Sequence, residues 1–136
     1  MQGLQARYDL NQQELWPLVV GLGSGMSRRG FVCGAVTGGA IACGLVTAHQ
    51  LDSTRESRKQ LRETTYSRVQ EMTRRFEKKF GTVDCSAMTG CDFLTPEGQA
   101  TFREKKLMDS VCRPAVQLIV ETLVDLIEGD GAVPSQ

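Results

Sequence analysis

Residues 31–48, FVCGAVTGGAIACGLVTA, carry no charge and are built largely of small side chains. An uncharged run of this length must be buried, either in lipid or in the middle of a fold. Gly34, Gly38, Gly39, Gly44, Thr37, Thr47 and two cysteines leave it only mildly apolar, whereas a membrane span is dominated by Leu, Ile, Val and Phe. The segment therefore reads as a buried central helix, with no membrane span. Its Gly34-x-x-x-Gly38 and Ala40-x-x-x-Gly44 pairs let a second backbone approach closely. Just before it, SRRGFV at 27–32 matches the start of a twin-arginine export signal. The 26 residues ahead of that match contain NQQELWPLVVGLGSG, which has its own helical apolar positions and makes an unusually structured leader.

The rest of the chain also reads as helix. Leu15, Leu18, Val19 and Leu22 space a first short apolar face in which Pro17 is tolerable only in the first turn or at a kink, and glycines 21, 23, 25 and 30 then make a mobile loop. Leu61, Thr65, Val69, Met72, Phe76 and Phe80 recur at helical spacing, so a long helix is predicted over 53–80, capped by Asp52 or Ser53 and stopped by Gly81. Its other face, crowded with Arg, Lys and Glu, reads as a solvated surface with intrahelical ion pairs; the functional alternative is a basic docking face for an acidic electron-transfer partner. GTVDCSAMTGCDFLT reads as a loop or short turn, Thr95-Pro96-Glu97 as an N-cap with proline at N1, and PAVQLIVETLVDLIEG as a final amphipathic helix ending at Gly129. The expected fold is all-α, a small bundle of about five helices around the small-residue helix. Residues 1–136 form one domain, with 1–10 and 129–136 as frayed termini.

Basic and acidic residues balance at 16 each, which removes the global field expected of a nucleic-acid binder. The one histidine, His49, cannot supply a multi-histidine metal site, and no C-x-x-C-H segment exists for haem attachment. No Ser/His/Asp arrangement, carboxylate pair or phosphate loop is recognisable, so a conventional hydrolase or transferase is disfavoured. That leaves the five cysteines. Their odd number and spacings do not form a secreted disulfide framework, which points to thiol chemistry or metal ligation.

Cys33 and Cys43 lie on the small-residue helix, Cys85 and Cys91 in the loop after the charged helix, and Cys112 beside Pro114. Ten helical residues separate Cys33 from Cys43 by roughly 80° and about 15 Å, so at most one joins a small centre. Cys33 is the better candidate: it follows a glycine-rich turn at a helix start, with Arg28 and Arg29 near, where free N–H groups favour a thiolate. Cys85, Cys91 and Cys112 could complete the four thiolates an iron–sulfur cluster requires. The plain alternative is that each cysteine is a small buried hydrophobe, above all Cys43.

GLGSGMSRRGFVCGAVTGG, then FGTVDCSAMTG, then Cys112 resembles the small redox-active proteins named for their C-GCAxxG-C-C cysteine pattern. The resemblance spans about residues 15–125. It implies that Cys33 is the CGAxxG cysteine, Cys85 the one after the charged helix and Cys112 the late one. It also implies that SRRGFV lies inside the mature domain, so the export match is coincidental and the location cytoplasmic. The family's first cysteine has no counterpart, since residues 1–32 contain none. The chain is thus a divergent or N-terminally shortened member, or Cys91 or Cys43 takes the vacant role. The family is similar to a domain of split-Soret cytochromes, which implies a metal-cluster or electron-transfer setting.

The leading expectation is an electron-transfer or redox-sensing protein, more a redox accessory than a stand-alone enzyme, whose Cys33, Cys85, Cys91 and Cys112 bind an iron–sulfur cluster and serve a redox partner protein. A second is metal-free thiol–disulfide exchange, with Cys33 attacking and Cys85 or Cys112 resolving. A third is a structural helical domain whose small-residue faces form a homodimer.

Overall fold

The computed structural model describes residues 12–51 and 54–129, and six helices account for most of them. They are α1 (Gln12–Val19), α2 (Gly34–His49), α3 (Arg55–Phe80), the short α4 (Cys85–Thr89), α5 (Pro96–Glu104) and α6 (Arg113–Gly129). No strand occurs among the described residues; one isolated antiparallel bridge joins Val32 to Asp84. The all-α expectation holds, and the additional helix is α4, whose five residues are too few to show a period. Gly129 closes α6; the other residues expected to fray, 1–10 and 130–136, lie outside the described residues.

The uncharged run forms α2, which packs between α3 and α6. Val36, Gly39, Ala42, Cys43 and Val46 are buried there, against Met72 and Phe76 of α3 and Ile119 and Leu123 of α6. Complete burial of side chains such as Met72 and Phe76 contributes about 1.5–3 kcal/mol each. Of the expected pairs, a Cβ on Gly34 would lie 3.0 Å from Leu22 O while one on Gly44 would meet only Thr65 Cγ2 at 3.8 Å; the close helix approach falls instead at Gly39. A Cβ on Gly39 would stand 2.6 Å from Ile119 Cγ2 and 3.0 Å from Met72 Sδ, so only glycine admits the two neighbouring helices at that level. No helix among the described residues is long and apolar enough to cross a membrane.

The helix ends follow local chemistry. Thr54 caps α3 by accepting from the Ser57 N–H at 3.1 Å, whereas the expected caps, Asp52 and Ser53, lie outside the described residues. Gly81 ends α3 in the left-handed conformation at φ 78°. Thr95 caps α5 through Gly98 N at 3.0 Å, with Pro96 at the first turn. Between α5 and α6 the chain takes a wide π turn, Met108–Cys112. Pro114 gives the physical reason, since proline lacks an N–H and its ring crowds the carbonyl four residues back.

The charged face of α3 is solvated and ion-paired as expected, although Arg68 turns inward at 5% exposure and donates to Thr47 Oγ1 at 3.0 Å. Glu71 accepts from Arg74 (2.7 Å) and Arg75 (2.7 Å), and Arg75 reaches across to Asp125 of α6 at 2.6 Å. The Arg74 guanidinium, then Arg75, lowers the Glu71 carboxyl to about 2. A depressed folded value means this contribution is complete above the ordinary value of 4.5 and is lost as the pH falls toward about 2. Urea midpoints of wild type and Glu71→Gln should therefore differ at pH 6 and converge through that window; a constant difference would contradict the assignment.

Candidate functional site

The glycine-rich segment before α2 is a wound, hydrogen-bonded turn rather than a loose loop. Ser24, Gly25, Met26, Ser27, Arg28 and Gly30 all take positive φ. Gly30 N donates to Ser24 O (3.2 Å) and Phe31 N to Gly25 O (3.0 Å). The turn delivers residues 31–33 to the Val32–Asp84 bridge, where Cys85 N donates to Phe31 O and Cys33 N to Val83 O, both at 2.7 Å. This short pairing joins the CGAxxG segment to the segment after the charged helix.

In such a pair Cys33 stands opposite Val83 and Cys85 opposite Phe31, so both cysteines lie on the same face as diagonal neighbours. Standard antiparallel geometry places diagonal residues about 7–8 Å apart. Glycine makes the junction possible. A Cβ on Gly25, itself at φ 65°, would lie 2.7 Å from Cys85 Cβ and 2.6 Å from Phe31 N, and one on Gly30 would lie 2.8 Å from Ser86 Cβ. Alternating glycines before a CGA segment are the signal in the sequence for this close approach.

Cys33, Cys91 and Cys112 lie within electrostatic reach of Cys85. Cys33 is the N-cap of α2, Cys85 opens α4, Cys91 follows α4 and Cys112 ends the π turn. Cys85 is the hub: burial foremost, then the charges of Cys33, Cys112 and Cys91, pushes its thiol up to about 11. Cys112 is raised by burial and by Cys33. Cys91 is 3% exposed, its Sγ–H donating to Thr89 O at 3.4 Å, and with Cys85 and Phe93 it forms a second small core flanked by Phe102 and Leu107. Cys43 is apart, fully buried in the main core. Of Cys91 and Cys43, Cys91 is the one that neighbours Cys85. Arg28 and Arg29, expected near Cys33, line a surface recess bordered by Cys91.

A family model described as "Putative redox-active protein (C_GCAxxG_C_C)" matches residues 1–126. The chain belongs to this family. No curated protein and no solved structure matches it. Within the C_GCAxxG_C_C pattern, the CGAxxG cysteine and the one after the charged helix are the two that the Val32–Asp84 bridge draws together.

Among the described residues no three His, Cys, Asp or Glu side chains are placed to hold one metal ion. A cluster several atoms across needs its ligands spread around it, and four thiolates without histidine are the donors such clusters take.

Left reduced and metal-free, Cys85 stays protonated at neutral pH. Its folded-state contribution is present below the ordinary value of 9.0 and lost as the pH rises through about 11. In metal-free protein Cys85 should resist iodoacetamide at pH 8 and react progressively above pH 10, read by peptide mass spectrometry. Labelling at pH 8 as fast as in the urea-unfolded chain would contradict its place as the buried hub.

Proposed function

We propose that this C_GCAxxG_C_C protein is an electron-transfer or redox-sensing protein whose Cys33, Cys85, Cys91 and Cys112 hold an iron–sulfur cluster. The observation that supports the reading is that Cys33, Cys112 and Cys91 all act electrostatically on the buried Cys85 thiol. A cluster supplies one-electron chemistry and the positive charge that draws protons from crowded thiols. The chain's own part is to fix the donors and keep water away. Gly25 and Gly30 lock the Cys33 and Cys85 segments together, the π turn presents Cys112, and Phe93 packs edge-on against Phe102 at 5.1 Å beside Cys85 and Cys91. Such a centre belongs in a reducing compartment, the cytoplasm.

The test is the visible spectrum of protein purified without oxygen, before and after dithionite, with iron and sulfide assayed. Bands that bleach on reduction are expected; a folded protein that stays colourless and iron-free after anaerobic reconstitution would overturn the reading. Thiol–disulfide exchange is the second reading, favoured by the nearness of Cys33 to Cys112, whose thiol it helps to raise. The diagonal spacing at the bridge is wider than a direct Cys33–Cys85 disulfide normally spans. Peptide mapping after mild oxidation separates the readings, since exchange requires a linked pair.

A further inference from the structure

Beside the thiol group lies an open recess of about 520 Å³, bordered by Arg28, Arg29, Cys91, Asp92, Phe93 and Leu94 among others. This volume is in the range of sites for small organic molecules. Arg62, Arg74, Arg75 and Arg113 each pair with a carboxylate. Among the described residues Arg28 and Arg29 form no ion pair, and Arg29 lies over the Phe31 ring at 5.3 Å. Asp92 also borders the recess, but one carboxylate oxygen accepts from Leu94 N at 2.9 Å. Two guanidinium groups therefore face one carboxylate already engaged with its own turn.

The recess is also held in shape. Met26, Ser27 and Arg28 take φ of 64°, 51° and 72°, a run of side-chain-bearing residues in a region they rarely occupy, and Arg29 N is fixed to Met26 O at 3.1 Å. Chain direction, and with it the points where both arginines emerge, is set before any ligand arrives. Phe93 and Leu94, the latter 57% exposed, add apolar surface to the same recess.

We propose that this recess binds a small organic anion, a polycarboxylate or a phosphate ester. Arg28 and Arg29 hold its charge, since a guanidinium matches the paired oxygens of either group. Phe93 and Leu94 hold its carbon frame, and the bound molecule lies against Cys91 at the edge of the thiol group. The side chains that hold the charge and the carbon frame lie outside the thiol set, so the site stands or falls apart from the cluster.

Isothermal titration calorimetry of the full chain tests it with tricarballylate and glycerol 2-phosphate, two probes chosen for weak iron chelation. A saturable site is expected for at least one, the tighter probe naming the headgroup, with affinity falling as salt rises. Arg28→Ala and Arg29→Ala should each weaken binding by about tenfold, the loss of one charge-assisted contact. Exposed Arg103→Ala should change nothing. Leu94→Asp, an exposed position that places a negative charge at the recess, should abolish binding while leaving the circular dichroism spectrum unchanged. Heats that track only dilution for both probes, or equal affinity in wild type and the Arg28→Ala, Arg29→Ala double variant, would overturn the proposal. Neither result bears on whether the thiols carry iron.

Discussion

Gly98→Ala is expected to destabilise the protein by about 2–4 kcal/mol although it adds one methyl group. Gly98 lies in the first turn of α5, where a Cβ would run into the backbone oxygen of Asp92, with Asp92 C at 2.6 Å and Asp92 N at 2.9 Å. Those are main-chain atoms, and a side-chain rotamer change cannot move them aside. The Asp92 turn is held from both ends. Its carbonyl accepts from Thr95 N at 3.2 Å and Thr95 Oγ1 at 3.0 Å, while Thr95 Oγ1 accepts from Gly98 N at 3.0 Å. The methyl therefore forces apart the α5 cap and the segment next to Cys91. Gly23→Ala is the control, because Gly23 has φ −60° and nothing within 4 Å of its added Cβ. That change should be neutral or raise stability by about 0.4–1 kcal/mol. Urea unfolding of both variants decides the matter: equal midpoints would show that the Asp92 turn yields freely.

What the sequence reveals of this fold is what short-range chemistry controls. Gly81 after Phe80 and Thr95-Pro96 mark helix ends because a cap or a left-handed residue is a local requirement. The uncharged 31–48 run declares itself central because nothing else in the chain could lie on all sides among apolar neighbours. Gly98 and Gly25 are a different case. Each is required because a turn folds backbone six residues away, Asp92 or Phe31, back onto it, and no pattern around position 98 says that residue 92 will press on it. Arg68 hides for a similar reason: it belongs to a charged run, and only the approach of Thr47 and Gln50 makes it an inward residue.

The thiol group was legible as a composition and not as a geometry. Cys85-x5-Cys91 matches no short ligand motif, and Cys112 is drawn in by a π turn whose cause, Pro114, reads in sequence only as a break. The separation of Cys43 was legible, since helical arithmetic alone keeps it away from Cys33. The sequence leaves open whether Cys91 or Cys43 fills the family's vacant first place. The tertiary path through α4 and the Phe93 core puts Cys91 beside Cys85.

That arrangement makes Cys85→Ser the most damaging change to function. Cys85 alone has all three other thiols as electrostatic neighbours, so its loss removes the member that connects the rest. A serine there also buries a hydroxyl at a site 7% exposed, which costs about 1–3 kcal/mol where no partner is found. The visible bands expected of the anaerobic protein should vanish in Cys85→Ser, with bound iron reduced at least tenfold, while the helical circular dichroism signal persists. Cys43→Ala is the matched control: it removes a fully buried sulfur from the main core and should leave the bands intact at some loss of stability. Bands retained in Cys85→Ser would falsify the hub, because any cluster would then be held without it. Bands lost equally in Cys43→Ala, with the helices still folded, would move the centre into the bundle core. The separation of Cys43 from the other four thiols is thus the feature on which the comparison turns, and it is fixed by the pitch of α2.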